Sequence, residues 1–138
     1  MHRSYKVFIL YFLAFNALLL VSAMTIFNTK IGFLPKEVFD YYAHKTLMGI
    51  LKVHLPHLLV FGLFGMVLLH FLVFTQYKNQ TKNLAIFFFA SAFLELLSPL
   101  LMVYGFSFFA YLKVFSFITF YLLIIYVSML ILFDIIIE

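Results

Sequence analysis

Cysteine is absent from all 138 positions. That excludes disulfides, thiolate catalysis, cysteine-held iron–sulfur clusters and covalent haem attachment through a C-x-x-C-H pattern. Charge is scarce as well: Asp, Glu, Lys and Arg make up 10% of the chain, against about a quarter in a soluble domain. The sequence has no glycine-rich phosphate loop, no paired-histidine zinc helix and no serine nucleophile elbow, so the commonest nucleotide, zinc-protease and serine-hydrolase chemistries lack their motifs. A sustained alternation of period two is missing too, which argues against a lipid-facing barrel.

What is abundant is apolar surface. Hydrophobic residues reach 67% of the chain, and the mean hydropathy is +1.17. A domain of this size keeps much of its surface in contact with solvent, so that solvent must be the lipid bilayer. A helix needs about 20 mostly apolar residues to cross. Four stretches qualify, at about 7–27, 55–75, 84–104 and 111–133. The first carries Asn16, the third carries Glu95, and Val114–Phe133 in the last carries no charge. The first stretch follows a basic leader, Met1-His2-Arg3-Ser4-Tyr5-Lys6, but is longer than a signal peptide's apolar region of about 7–15 residues. It reads as a retained anchor. Between the first two spans, Pro35-Lys36-Glu37 has the look of a helix start, and Val38, Phe39 and Tyr42 then fall on one side. Residues 35–52 are therefore expected to lie in the interface plane. The predicted fold is all-α: one membrane domain over residues 1–138, a four-helix bundle with an interfacial helix between the first and second spans.

The net charge of +4 does not signal nucleic acid, because the basic residues sit at helix ends rather than in a dense patch. They bear instead on orientation. Arg3 and Lys6, together with Lys78 and Lys82, favour both termini on the cytoplasmic side of a bacterial inner membrane, although Lys30, Lys36, Lys45 and Lys52 on the opposite side oppose that bias.

Histidines are the main candidates for chemistry, since neutral imidazole is a good ligand for haem iron and other metals. His57 and His70 stand thirteen positions apart on one predicted helix. They are separated by about 20 Å and face nearly opposite sides, so they cannot share one metal ion. Their layout resembles the two-haem arrangement of membrane cytochromes b, in which similar spacing on one helix serves two haems. There a second helix supplies the opposing ligands. Here those ligands would come from His44 or His54 in the first loop, from a methionine, or from a second copy of the chain. A symmetric dimer meeting at Gly62 and Gly65 would duplicate His57 and His70. The plain alternative is that the histidines bond water, head groups or backbone.

Glu95 is the sharpest single residue, because a carboxylate inside a span costs about 2.5 kcal/mol or more on insertion scales. Pro99, four positions on, removes the amide that would have bonded the Glu95 carbonyl and exposes an acceptor. Ser91, Ser98 and Asn16 are expected nearby, together forming either a polar site for a quinone head group or a proton, or hydrogen-bonded glue between helices.

The residues also carry a family resemblance. Tyr41-Tyr42 precedes Gly49-Ile50-Leu51-Lys52-Val53, His57-Leu58 opens a helix that His70-Phe71 closes, and Leu94-Glu95-Leu96-Leu97-Ser98-Pro99 lies in the next. This is similar to a group of small bacterial inner-membrane proteins with four helices and no established activity. Members often place an acid where Lys52 stands, and histidines two apart where His54 and His57 are three apart. The resemblance implies the architecture rather than a mechanism. The functional expectation is a non-enzymatic electron-transfer subunit holding b-type haem through His57, His70 or both. The alternatives are a cofactor-free accessory subunit of a larger membrane complex and a small transporter or proton pathway built on Glu95.

Overall fold

The computed structural model describes residues 3–137; Met1 and His2, the first residues of the basic leader, and Glu138 lie outside the described residues. Five α-helices follow one another: α1 Arg3–Lys30, α2 Pro35–Ala43, α3 Leu47–Val73, α4 Thr81–Met102 and α5 Phe108–Ile137, with a 3₁₀ turn at Lys78–Gln80 leading into α4. No strand occurs among the described residues. Four segments are long and apolar enough to cross a bilayer, at Tyr5–Lys30, Leu47–Val73, Lys78–Met102 and Phe108–Ile137. The chain is a helical membrane bundle, as its composition requires: in hydrocarbon each backbone amide must bond within the chain, and helices achieve this segment by segment.

The breaks between helices have local causes. Gly32 adopts φ 88°, and the Phe27 carbonyl accepts hydrogen bonds from the amides of both Ile31 and Gly32. This left-handed ending suits glycine and stops α1. Gly105, at φ 91°, makes the corresponding turn after α4. Thr46 opens α3, its hydroxyl accepting from the Gly49 amide at 3.1 Å, a standard N-cap. That cap explains a departure from the expected layout. The segment between the first spans is helical only over Pro35–Ala43, and residues 47–52 are the first turns of the second spanning helix. Pro56, expected at a helix end, lies inside α3.

The bundle is built around α4 and α5, with α3 against them. Phe88, Phe120, Leu68, Leu72 and Ile131 are fully buried between these helices. Gly65 allows the close approach: a Cβ there would stand 2.3 Å from Cε1 of Phe88. Of the two glycines expected to meet a second chain, Gly65 is thus occupied within its own bundle, whereas Gly62 faces open space. α2 turns Val38 and Tyr42 into one end of the bundle and buries both. α1 lies at the periphery, and along its described side chains only Ile9, Asn16 and Phe27 are buried.

Candidate functional site

The polar centre of the molecule is an ion pair that joins α4 to α5. The Lys113 ammonium bonds the Glu95 carboxylate through Oε1. It also donates to the Glu95 backbone carbonyl at 2.9 Å. This is the acceptor that Pro99 frees, so one lysine answers both the charge of Glu95 and the gap in its helix. Lys113 is 2% exposed and Glu95 7%. Glu95 lies seven residues before the end of α4, about 10 Å from it, in the half of its span that faces the α2 end of the bundle.

Lys113 escaped the sequence reading because the uncharged window Val114–Phe133 begins one residue after it. At the edge of a span, a lysine is usually taken for one that reaches back to the interface. A signal was nonetheless present. Glu95 stands ten positions before Gly105 and Lys113 eight positions after it. Two antiparallel helices joined by a short turn bring such near-equidistant residues together.

The pair forms part of the floor of a cavity of about 680 Å³, within the range of small-molecule sites. The floor is buried: Tyr42 from α2, Glu95 and Leu96 from α4, and Lys113, Phe117, Phe120 and Tyr121 from α5. The rim is exposed: Ile26 and Lys30 on α1, Lys45 after α2, and Gly49, Val53 and His57 on α3. The opening therefore lies between α1 and α3. Burial, and after it the Glu95 carboxylate, push the Tyr42 phenol above its ordinary range and keep it protonated. The Tyr42 ring centroid is 5.7 Å from the Lys113 ammonium. Oε2 of Glu95 is buried without a hydrogen-bond partner among the described residues, as is Oγ1 of Thr81 at the other end of α4.

The histidines divide between the two ends of α3. His54 and His57 both line the cavity, with ring centroids 6.4 Å apart. Their Nδ1 atoms donate to the carbonyls one turn back, Ile50 at 3.0 Å and Val53 at 2.6 Å. His70 is exposed far from the cavity, edge-on to Phe74, and His44 caps the end of α2 in an exposed position. No described histidine faces His70 from another helix of the same chain, so a histidine opposite His70 would have to come from a second copy. Nor do the described residues contain any group of three His, Cys, Asp or Glu side chains able to hold a metal ion. His54 and His57 project from one helix, so they cannot flank a macrocycle from both sides. Within one chain the cavity offers imidazoles from α3 alone.

The other polar residues serve the fold. Asn16 donates to the Ser128 hydroxyl at 3.1 Å, and Ser128 is fifteen residues beyond Lys113, about 22 Å along α5. Asn16 therefore does not share a site with Glu95. Ser98 and Ser91 turn back onto their own helix, donating to the carbonyls of Leu94 and Phe88.

Fold and site together define a multi-pass helical membrane protein with a cavity toward the α2 end of its bundle. The chain belongs to the Aq_1264_TM family, whose model describes a transmembrane helical domain and matches residues 32–138. The match covers α2 through α5 and begins after α1. No curated protein and no solved structure matches the chain.

Proposed function

We propose that this protein is a non-enzymatic membrane subunit that holds an amphiphilic small molecule in the cavity between α1 and α3. The observation that carries the reading is the cavity itself. Its lining is largely apolar, its rim carries Lys30, Lys45 and His57, and its floor holds a charged pair with an acceptor that nothing among the described residues satisfies. A buried polar atom without a partner costs about 1–3 kcal/mol, and a ligand's polar group placed there would remove that cost. Entry between two membrane helices suits a molecule that is already dissolved in the bilayer. Val53 and Val60 are both exposed on α3, but only Val53 borders the cavity. Val53→Trp should close the rim, whereas Val60→Trp should add a ring in lipid. Native mass spectrometry of protein released from nanodiscs should then find a bound small amphiphile on the wild type and on V60W, and at least tenfold less on V53W. Equal retention by V53W would refute the reading.

A second reading, one b-type haem held through His57 or His54, has one observation in its favour. With Nδ1 donating to a backbone carbonyl, a neutral imidazole leaves Nε2 free as a ligand, the arrangement seen around many metal-bound histidines. A dithionite-reduced spectrum of protein expressed with ample haem discards this reading if it lacks an α band.

We assign the bacterial inner membrane, with both termini cytoplasmic, from the short basic loop and the basic leader. Single cysteines at residues 36–43 and 105–107 should then label from the outer face and those at 76–80 from the inner.

A further inference from the structure

The cavity reading leaves the chemistry of the ligand open, but the floor narrows it. Resting on that reading, we infer that the molecule held there carries a flat ring with hydroxyl substituents, a quinol head group, seated against the Glu95–Lys113 pair.

Three features of the floor converge. Glu95 is nine-tenths buried along its side chain, and its Oε2 has no donor. As half of an ion pair, the carboxylate is acceptor-only, so the group that meets it must bring an O–H or N–H. Lys113, by contrast, has three N–H bonds, of which the Glu95 carbonyl and Oε1 take two. The third has no hydrogen-bond acceptor among the described residues and calls for an oxygen. A head group that both donates and accepts satisfies the two at once. A bare alkyl chain satisfies neither, and a carboxylate or phosphate would set negative charge against Oε2.

Aromatic rings line the cavity beside the pair. Phe27 of α1 stacks on Phe117 of α5 with centroids 4.0 Å apart and planes 20° from parallel. Phe61 of α3 lies 4.7 Å from Phe120 of α5. Faces and edges of this kind favour another planar ring over a branched chain. An isoprenoid or alkyl tail would leave past Ile26 and Val53 into lipid. A quinol in this position donates one O–H to Oε2 and accepts from Lys113 through an oxygen. No electron transfer is needed for the binding itself.

A matched pair of probes tests this: a short-chain benzoquinol and its dimethyl ether, which keeps the ring and tail but has no O–H to donate. Binding to the detergent-purified full chain is measured by equilibrium dialysis. The quinol should bind at least tenfold more tightly than the ether, and Glu95→Gln should reduce that preference to less than threefold. Val53→Trp, which leaves the ion pair untouched, should weaken both probes together. Equal binding of quinol and ether to the wild type overturns the assignment of Glu95 as the ligand's acceptor. If neither probe binds while the wild type still carries an amphiphile that V53W loses, the ring assignment fails and the cavity reading stands. If V53W also retains its amphiphile, both fail.

Discussion

α1 and α3 meet differently at the two ends of the bundle. At one end aromatic edges close them: Tyr5, Phe8 and Phe12 of α1 all lie within 5.2 to 6.0 Å of Phe71 of α3, centroid to centroid. At the other end they part around the cavity. The buried acids differ in the same way. At the closed end Asp134 accepts from the Gln76 amide at 3.0 Å and so caps the turn into α4. At the open end Glu95 keeps one oxygen without a partner. A buried carboxylate that finishes a turn serves the fold. One that faces a cavity with an unmet acceptor is where the proposed ligand would bind. The family match starts after α1, so the floor lies within the matched region and the wall supplied by α1 outside it.

The largest effect expected is at the ion pair. Lys113→Met removes one partner and strands a buried carboxylate, which should cost about 3–5 kcal/mol and lower the melting temperature in detergent by far more than any change at the closed end. The two glycines of α3 should separate next. Gly65→Ala drives a methyl into Phe88 and should cost about 1–3 kcal/mol, while Gly62→Ala, with open space before it, should be close to neutral. A loss at Gly62 as large as that at Gly65 would point to a partner helix there, as a dimer requires.

The smaller effects sharpen the contrast between the ends. Asn16→Ala removes the Ser128 bond and should cost about 0.6 kcal/mol, the usual scale for hydrogen bonds between membrane helices, with no loss of bound amphiphile. A loss of ligand on that substitution would tie the closed end to the site. Tyr42 gives a pH signature. Its raised pKa means that the folded chain holds a proton which the unfolded chain begins to release near pH 10. Stability is therefore full below that pH and falls above it. The alkaline fall in melting temperature should be shallower in Tyr42→Phe, and an unchanged fall would place its origin elsewhere.

The bundle was legible in the sequence because hydropathy is summed over whole helices and needs no neighbours. Glu95 was legible for the same reason: a charge inside an apolar run stands out without knowledge of its partner. Its surroundings were not. Depth along one helix does not say which side the next helix takes, so Asn16 was grouped with Glu95, and spacing along α3 does not say that His57 stands on the cavity rim while His70 is exposed far from it. Gly65 was legible as a point of close approach, but not as the seat of Phe88. Lys113 was hidden by a window that ended one residue short of it, and the symmetry of the pair about Gly105 was the clue. The unpartnered Oε2 has no counterpart in the sequence, because a missing hydrogen bond is a property of the packed molecule.

The central claim is that the Glu95–Lys113 pair marks a binding floor rather than a structural tie. The double variant Glu95→Gln/Lys113→Met tests it most directly, because replacing both members of a buried pair removes the stranded charge and often leaves stability nearly unchanged. Measured together by thermal unfolding and by native mass spectrometry, it should fold within about 3 kcal/mol of the wild type, the cost being the Glu95 carbonyl left without its lysine donor, and retain at least tenfold less amphiphile. A double variant that folds equally well and still carries its amphiphile undiminished would contradict the account.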